Sequence, residues 1–342
     1  MLILDGIVFS LQKHGGISVY FHELICYLNN NDVSAIILTE KPLACNDFVS
    51  GNSVSILSRQ ARLLERYRSC RIPQSTTVFH SSYYRLPYLK DIPTVVTVYD
   101  FVYERYLNGP RRWLHSAQKN LSIRSAQSVI CISEATRQDL LEYIGEIPGQ
   151  SVHVIHCGVS EIFRPIILEQ TIVPFILYVG QRGGYKNFRL VLESMRYLPD
   201  IHLICVGGGN FDTNEFYGID NSVVRRVKHV GFVVDDALNI LYNQALCLVY
   251  PSSYEGFGIP VVEAMRAGCP VVCIDCKAVL EIGHDALTVV DDLDPRGMAI
   301  AITKTVNSDR ISIIKRGFAV AQNYSWDAAH KKTLEIYRSM GA

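Results

Sequence analysis

Short runs of β-branched and other apolar residues alternate with amphipathic helical segments along almost the whole chain, and this alternation limits the folds open to it. Thr94–Tyr99, Phe175–Gly180 and Leu246–Tyr250 are continuous apolar runs, which are typical of parallel strands buried on both faces. Ser18–Leu28 and Asn187–Leu198 carry apolar residues at helical spacing. Strands joined by helices in this way predict an α/β protein with parallel sheets.

The length of the chain predicts two domains, because 342 residues exceed what one hydrophobic core usually covers. The alternation pauses near residues 157–173 and then restarts with a new strand and a glycine-rich turn. We therefore expect two Rossmann-like halves, with a hinge between them, that face each other across a cleft. Ligands would bind at the carboxyl ends of the strands.

Composition excludes several classes of function. Lys and Arg number 33, as do Asp and Glu, so net charge gives the chain no attraction for nucleic acid. No apolar run approaches the ~18 residues of a membrane-spanning helix, and Met1–Leu11 lacks the basic start of a secretory signal. The ten cysteines are scattered, and Cys273-Ile-Asp-Cys276 ends a strand instead of opening a helix, which disfavours disulfide, redox and zinc sites. These features predict a cytoplasmic protein.

One candidate site lies between Phe175 and Phe188, a segment with the pattern of a strand, a glycine-rich turn and a helix start. Glycines at a strand end let a ligand approach the backbone. Arg182 and Lys186 would stand at a helix N-terminus, which suits the two charges of a pyrophosphate. The spacing is not that of a P-loop, which argues against an ATPase. A solvated basic rim is the alternative interpretation of the two cations.

A second candidate site lies at residues 249–265, where a strand, a glycine-bearing loop and a helix start follow one another. The amides of Gly256–Gly258 are placed to bind hydroxyl or phosphate oxygens. Glu255 and Glu263 stand eight residues apart, and each carboxylate can accept hydrogen bonds from the vicinal hydroxyls of a sugar or a ribose. Alternatively, a glutamate at this position only stabilises the helix macrodipole.

The second segment also resembles a known family. Tyr254-Glu-Gly-Phe-Gly-Ile-Pro-Val-Val-Glu-Ala-Met265 is similar to the signature of retaining GT-B glycosyltransferases of glycosyltransferase family 4. Other motifs follow in the family's order: Gly15-Gly16-Ile17, Cys131–Leu140, Val154–Val159 with Phe163-Arg-Pro165, Tyr185-Lys-Asn-Phe188 and Val230-Gly-Phe-Val233. The resemblance covers nearly the whole chain. It implies an acceptor-side domain at 1–160, a donor domain at 161–323, and a C-terminal helix at 324–342 that crosses back to the N-terminal domain.

The resemblance also implies which residues bind the donor, a nucleotide-diphosphate sugar. Arg182 and Lys186 would hold the diphosphate, Glu263 the ribose, and Glu255 the sugar. The full set of expected donor-binding residues is Gly15, Gly16, Arg182, Lys186, Val233, Glu255, Gly256, Phe257, Gly258 and Glu263. No cofactor and no metal is expected, because the two cations and a helix dipole would neutralise the leaving group.

The catalytic step implied by the family is transfer with retention, in which positioning and electrostatic stabilisation matter more than a strong base. Asp100, Arg182, Lys186 and Glu255 are the expected catalytic residues. Tyr99 stands where the family usually has His, and a phenol is no base near neutral pH. Asp100 would therefore position or activate the acceptor, or simply cap the next loop.

The acceptor side is expected to use aromatic and polar side chains, which suit the faces of sugars but also occur in protein cores. The candidates are His14, His80, Tyr83, Tyr99 and Tyr103. The segment Arg59–Arg71 contains five Arg and one Glu. As a helix it would be basic and amphipathic, and would either contact the anionic inner membrane peripherally or form an ordinary solvated surface.

The loop around Tyr185–Phe188 looks most like that of GDP-mannose users. The expected function is transfer of a hexose, of mannose or deoxymannose type, to a saccharide or lipid-linked acceptor in surface polysaccharide or O-antigen synthesis. The alternatives are a transferase that uses a UDP-sugar, a nucleotide-sugar 2-epimerase of GT-B fold, and a catalytically silent subunit.

Overall fold

The computed structural model describes residues 1–12, 15–40, 53–167 and 173–342, which form two compact units. Unit 1 comprises Met1–Gly158 and Ser325–Ala342, and unit 2 comprises Val159–Tyr324. The chain therefore leaves unit 1 once and returns to it for its last segment.

Unit 1 is built on a parallel sheet. Its strands are β1 (Leu2–Asp5), β2 (Ala35–Thr39), β3 (Val54–Ser58), β4 (Val78–Ser81), β5 (Thr94–Val98), β6 (Ser128–Cys131) and β7 (Ser151–Val154). In the described ranges they form one seven-stranded sheet in the order β3-β2-β1-β4-β5-β6-β7. The helices of this unit are α1 (Ile7–Leu11), α2 (Gly16–Asn30), α3 (Val102–Tyr106), α4 (Pro110–Ser125) and α5 (Glu134–Tyr143).

Unit 2 is also built on a parallel sheet with helices between its strands. Its strands are β8 (Phe175–Val179), β9 (His202–Val206), β10 (Val227–His229), β11 (Leu248–Tyr250), β12 (Val271–Cys273) and β13 (Leu287–Val289). Its helices are α6 (Phe188–Ser194), α7 (Asn221–Val224), α8 (Asp235–Gln244), α9 (Ile259–Arg266), α10 (Lys277–Gly283), α11 (Pro295–Asn307) and α12 (Arg310–Ala321). Within the described residues the strand order is β10-β9-β8-β11-β12-β13, again all parallel. The α/β prediction with two parallel sheets is confirmed.

The last helix, α13 (Trp326–Ser339), belongs to unit 1 and contacts α2. Its apolar residues recur at helical spacing, and Trp326, Ala329, Ile336 and Tyr337 are all buried. The Tyr337 hydroxyl hydrogen-bonds with Nδ1 of His80 on β4. The amphipathic C-terminal segment therefore forms part of the unit 1 core.

The expectation of a basic helix over Arg59–Arg71 is wrong. The segment crosses from β3 to β4 with one short 3₁₀ turn, Glu65–Tyr67, and Leu64 has a positive φ of 59°. The Glu65 carboxylate accepts hydrogen bonds from the Arg62 backbone and guanidinium, at 3.0 and 2.7 Å, which fixes a tight turn instead of a helix. In the part of the chain that the structure describes, no helix has the length and apolar character needed to cross a membrane.

Cys273 and Cys276 are buried free thiols. Burial raises the pKa of these thiols to about 12 and about 11. Because the thiolate is the reactive form, both side chains behave as small core residues.

Candidate functional site

The sheet of unit 2 reverses its strand order between β8 and β11, and parallel α/β sheets bind ligands at such a point, beyond the carboxyl ends of the strands. Residues 180–187 follow β8, and residues 251–258 follow β11. These loops are the two segments that the sequence predicted as candidate sites. The structure therefore brings both candidates to one edge of one sheet.

Direct hydrogen bonds hold the two loops together. The carbonyl oxygen of Tyr185 accepts from the Ser253 amide at 2.9 Å and from its hydroxyl at 3.0 Å. The side-chain amide of Asn187 donates to the carbonyl of Pro251 at 2.9 Å. Asn187 has a φ of 48° at the start of α6, a conformation that asparagine tolerates better than most residues. These hydrogen bonds fix the position of one loop relative to the other.

Lys186 and Glu255 form an ion pair across the two loops. Both side chains are mostly buried, 15% and 13% exposed, and Lys186 Nζ also lies 5.7 Å from the centre of the Tyr250 ring. Burial, and the charge and hydrogen bonding of Glu255, raise the pKa of Tyr250 well above its ordinary value. The phenol therefore stays protonated beside a cation and a carboxylate. The Lys186 ammonium group is partly desolvated, and its only carboxylate partner in the described residues is Glu255. A ligand phosphate could share this cation with Glu255.

The structure corrects the expectation that Arg182 contacts the diphosphate. Its Nη1 donates to the carbonyl of Gly207 at 3.0 Å, its Nη2 donates to those of Gly209 and Asn210 at 2.9 Å, and its Nε donates to Glu215 at 2.8 Å. The side chain is 3% exposed. Arg182 is thus engaged in holding the turn after β9 and is not directed at an open phosphate site.

The turn that Arg182 holds is a part of the site that sequence reasoning missed. Gly207, Gly208 and Gly209 all have φ between 73° and 74°, the left-handed region that glycine adopts without strain. A Cβ on Gly208 would lie 2.6 Å from the carbonyl oxygen of Gly180, whereas a Cβ on Gly180 would meet nothing within 4 Å. Three consecutive glycines after an apolar run were the signal that could have revealed this turn.

Glu263 lies on α9, eight residues after Glu255, and accepts a hydrogen bond of 2.9 Å from the Tyr242 hydroxyl. Burial raises the pKa of this carboxyl from 4.5 to about 8. A buried carboxyl of this kind retains a proton near neutrality unless new hydrogen-bond donors favour the carboxylate. Ligand hydroxyls are such donors.

The remaining donor-side residues of unit 2 occupy the same edge of the sheet. The Phe257 ring packs against Tyr324 at 5.6 Å, so the stretch Gly256–Gly258 can present only its backbone to a ligand. Gly258 has a φ of 111° directly before α9. Val233 lies half-buried between β10 and α8.

Unit 1 holds the predicted acceptor-side residues at the carboxyl ends of β4 and β5. Asp100 accepts from the Val102 amide at 3.0 Å, directly before α3, whose N-cap residue is Phe101. Tyr83 is half-buried, and Tyr103 stacks on His115 with ring centres 3.7 Å apart. Gly15 and Gly16 stand at the start of α2, and His14 lies outside the described residues.

His80 and Tyr99 do not fit the role of acceptor contacts, and the structure corrects both predictions. His80 is fully buried, and its Nε2 hydrogen-bonds with Thr97 Oγ1 at 2.9 Å while Nδ1 meets Tyr337. Burial lowers the pKa of His80 to about 3. Tyr99 is 6% exposed and packs edge-on against Tyr20. Both are core residues.

Sequence reasoning also missed His115, which lies on α4. It is 4% exposed, and in the described part of the chain neither ring nitrogen has a hydrogen-bond partner. Burial, with Lys119 nearby, lowers its pKa to about 4, so the imidazole is neutral at physiological pH. It joins Tyr83 and Tyr103 in one aromatic cluster.

Comparison with known proteins identifies the class to which this fold and site belong. The family "Glycosyl transferases group 1" matches residues 159–317, and "Glycosyltransferase Family 4" matches residues 14–161. The chain is a group 1 glycosyltransferase of GT-B fold with a family 4 domain in its N-terminal half.

Individual proteins agree with this assignment. The chain is 26% identical over 319 residues to O-antigen chain mannosyltransferase B of Escherichia coli, which covers 84% of this chain and 83% of that protein. Among solved structures, sucrose-phosphate synthase from Thermosynechococcus elongatus superposes with a TM-score of 0.77 at 18% identity, covering 99% of this chain and 98% of that one. The Anabaena protein HepE in complex with UDP-glucose gives a TM-score of 0.76 at 16% identity, covering 99% and 100%. At these identities the structures establish the fold alone.

Proposed function

We propose that this glycosyltransferase moves a hexose of mannose or deoxymannose type from a GDP-sugar to a saccharide or lipid-linked acceptor in the synthesis of a surface polysaccharide. The observation that carries the proposal is the Lys186–Glu255 pair at the point where the strand order of unit 2 reverses. The cation suits the negative diphosphate, and the carboxylate can accept hydrogen bonds from the hydroxyls of the sugar; hydrogen bonds between the two loops hold both groups in place. The similarity to O-antigen chain mannosyltransferase B supports the mannose type.

Each donor group has a counterpart in unit 2. Lys186 would bind the diphosphate, whose oxygens could use the open space beside Gly180 and Gly209, where an added Cβ would meet nothing within 4 Å. Glu255 would then accept hydrogen bonds from the hydroxyls of the sugar, and Glu263 those of the ribose. Arg182 acts through the turn it holds rather than on the donor itself.

The reaction we propose is metal-independent transfer with retention. The bond from the anomeric carbon to the diphosphate breaks, the acceptor hydroxyl attacks from the same face, and the leaving phosphate oxygen takes the acceptor's proton. Lys186 and the backbone at the start of α9 stabilise the negative charge that develops on the diphosphate. The protein then contributes positioning and electrostatics instead of a strong base.

The acceptor would meet unit 1 at Tyr83, Tyr103 and Asp100, with His115 behind them. Aromatic faces suit sugar rings, and the neutral imidazole of His115 orients the stacked Tyr103. We place the enzyme in the cytoplasm, because the described cysteines are all free, as in reducing compartments.

A UDP-sugar is the second candidate donor. HepE, whose fold this chain shares, is described in complex with UDP-glucose. Neither Lys186 nor Glu255 discriminates between bases, so the sugar–phosphate chemistry would be the same with either nucleotide.

The test is release of nucleoside diphosphate from GDP-mannose and UDP-glucose, each with and without a saccharide acceptor or an isoprenoid-diphosphate-linked one. The proposal expects acceptor-dependent release of GDP, an unchanged rate in chelator, and an α-linked product from the α-linked donor. Preference for UDP-glucose would select the second candidate. Acceptor-independent turnover to a 2-epimer, or no turnover with either donor, would overturn transferase activity.

A further inference from the structure

A cavity of about 640 Å³ opens on unit 1 between α3, the start of α4 and the end of α5. Its volume lies in the range of small-molecule sites, which runs from roughly 300 to 1,000 Å³. Gly109, directly before α4, lines the cavity with a φ of 86°, and a Cβ there would meet nothing within 4 Å. No residue of the donor site takes part, because every residue that lines the cavity belongs to unit 1.

Two polar side chains in this cavity keep hydrogen-bonding capacity that the protein does not use. The Ser116 hydroxyl oxygen is buried and has no hydrogen-bond partner in the described part of the chain. The Glu104 side chain is 11% exposed, and its Oε2 accepts from Lys119 Nζ at 3.1 Å, which fixes the carboxylate and leaves Oε1 for a ligand. Since buried polar groups in folded proteins nearly always have partners, the Ser116 hydroxyl indicates a ligand at this place.

Two aromatic residues line the same cavity. Trp113 is 78% exposed, which is unusual for a side chain that proteins mostly bury. The Tyr143 ring stacks on Phe101, with ring centres 5.2 Å apart and planes inclined by 14°, so it forms a fixed wall. A flat apolar ring beside hydrogen-bonding groups suits a sugar, which has C–H groups on its faces and hydroxyls around its edge.

The charges in the cavity favour a neutral polyhydroxyl ligand over a phosphate or an apolar chain. Arg112 contributes one cation, and its Nη1 makes a long contact of 3.5 Å with Asn108. The carboxylate of Glu104 would repel a phosphate, and an apolar ligand would leave the polar groups of the cavity without partners. The vicinal hydroxyls of a sugar can donate to a carboxylate and accept from a guanidinium at the same time.

The cavity lies next to the aromatic cluster that we propose for the acceptor. Tyr103 and Glu104 are neighbours on α3. His115 and Ser116 are neighbours on α4. The rings of Tyr103 and His115 stack with centres 3.7 Å apart, and so join the two helices at this point. An oligosaccharide could therefore contact Tyr103 with one sugar and the cavity with the next.

We propose that this cavity binds the second and later sugars of an oligosaccharide acceptor, whose terminal sugar carries the attacking hydroxyl and lies at Tyr103. The inference rests on the proposed function, because the ligand is the acceptor of that reaction. It adds a preference for chain length: an oligosaccharide gains contacts with Trp113, Ser116 and Glu104 that a single sugar at Tyr103 does not make.

The first experiment measures binding to the full-length protein in the absence of donor. The chain has two tryptophans, and Trp326 is 8% exposed, so a saccharide in the cavity changes chiefly the emission of Trp113. α-Linked mannotriose or maltotriose should change the emission saturably, and methyl α-mannoside at the same concentration should not. No response to either trisaccharide, or a response that survives in Trp113→Phe, overturns the proposal.

Ser116→Ala separates recognition from folding. Because the hydroxyl has no partner within the described chain, its removal should leave thermal unfolding unchanged but raise the Kd for the trisaccharide about threefold to tenfold. Leu121→Ala, at a 60% exposed residue of α4 outside the cavity, is the control and should bind as wild type does. An unchanged Kd in Ser116→Ala would contradict the site.

The second experiment compares acceptors of different length in the transferase reaction. In wild type, KM should be lower for the trisaccharide than for the methyl glycoside. Trp113→Ala should raise KM for the trisaccharide about fivefold to tenfold, with kcat and the KM of the methyl glycoside unchanged. Equal KM values for both acceptors in wild type would overturn the subsite and leave the proposed function intact. No turnover with any acceptor would count against the proposed function instead, and the binding titration would still decide whether the cavity binds an oligosaccharide.

Discussion

Two cations only four residues apart, Arg182 and Lys186, have opposite surroundings in this protein. Arg182 donates four hydrogen bonds to protein acceptors, whereas Lys186 has a single ion-pair partner, Glu255, in the described chain. The planar guanidinium fits several carbonyls at once, and the ammonium is a point charge that a ligand can share. The structural role of Arg182 and the binding role that we propose for Lys186 therefore follow from the chemistry of the two side chains.

Arg182→Lys should destabilise the protein, because a lysine cannot span Gly207, Gly209, Asn210 and Glu215 together. We expect a loss of about 2–4 kcal/mol in the free energy of unfolding, measured by urea titration. Arg189→Lys is the control, since its ion pair with Glu193 is 53% exposed on the arginine side, and it should change stability by under about 0.5 kcal/mol. A variant as stable as wild type that no longer binds nucleotide would restore the direct phosphate role of Arg182.

The buried carboxyl of Glu263 should make the stability of the protein depend on pH. Its pKa is about 8 in the folded protein against 4.5 ordinarily, so between these values the folded state keeps a proton that the unfolded chain has released. This group therefore does not reduce the free energy of unfolding below pH 4.5, and the free energy of unfolding falls as the pH rises towards 8. Glu263→Gln removes that loss. The difference in the free energy of unfolding between the variant and wild type should therefore be about 1–3 kcal/mol more favourable to the variant at pH 8 than at pH 5. Glu161→Gln, at a 95% exposed glutamate, should show no such difference in urea titrations at the two pH values; an equal difference in both variants would contradict the burial of Glu263.

Local patterns could predict Lys186, Glu255 and Glu263 as candidates because each stands next to a strand end or helix start in its own segment. They misplaced His80 and Tyr99 because the residues that bury these side chains are remote in sequence. One hydrogen-bond partner of His80, Tyr337, is 257 residues away. Arg182 was misassigned for the same reason, since its acceptors lie 25–33 residues further on.

At the scale of elements, strand and helix order followed from hydrophobic periodicity, but the ends of elements depended on single side chains. The apolar residues of the first strand continue to Phe9, yet β1 ends at Asp5, whose carboxylate accepts from the Ile7 amide at 3.1 Å where α1 begins. The segment Arg59–Arg71 had helical spacing but is held in a turn by Glu65. Such side-chain contacts leave little trace in periodicity.

Helix α13 should be required for the stability of unit 1. Deletion of residues 324–342 would expose the surfaces that Trp326, Ile336 and Tyr337 cover, and would leave buried His80 without a partner at Nδ1. We expect failure to fold or a loss of cooperative unfolding. Leu334→Ala, at a site 6% exposed, is the milder variant and should cost about 2–4 kcal/mol. Thermal unfolding equal to wild type in both variants would contradict this role of α13.

At the scale of the whole molecule, the chain folds into two α/β units, each built on a parallel sheet, and the candidate functional groups of the two units differ. Unit 2 carries the Lys186–Glu255 pair that we propose binds the donor, and unit 1 carries the aromatic cluster around His115. The total charge of zero conceals the arginine-rich segment Arg59–Arg71 of unit 1, which has five Arg and one Glu. Charge therefore has to be evaluated surface by surface to predict partners.

The most direct test of the account is whether a nucleoside diphosphate binds unit 2 through Lys186. Thermal unfolding would be followed with GDP, UDP and ADP for wild type, Lys186→Ala and the control Arg189→Ala. A ligand at ~100 times its Kd stabilises the folded state by ~2.7 kcal/mol. We predict a clear rise in Tm with GDP for wild type and the control, and its loss in Lys186→Ala. No rise with any nucleotide, or a rise that Lys186→Ala leaves intact, would contradict the assignment of the donor site.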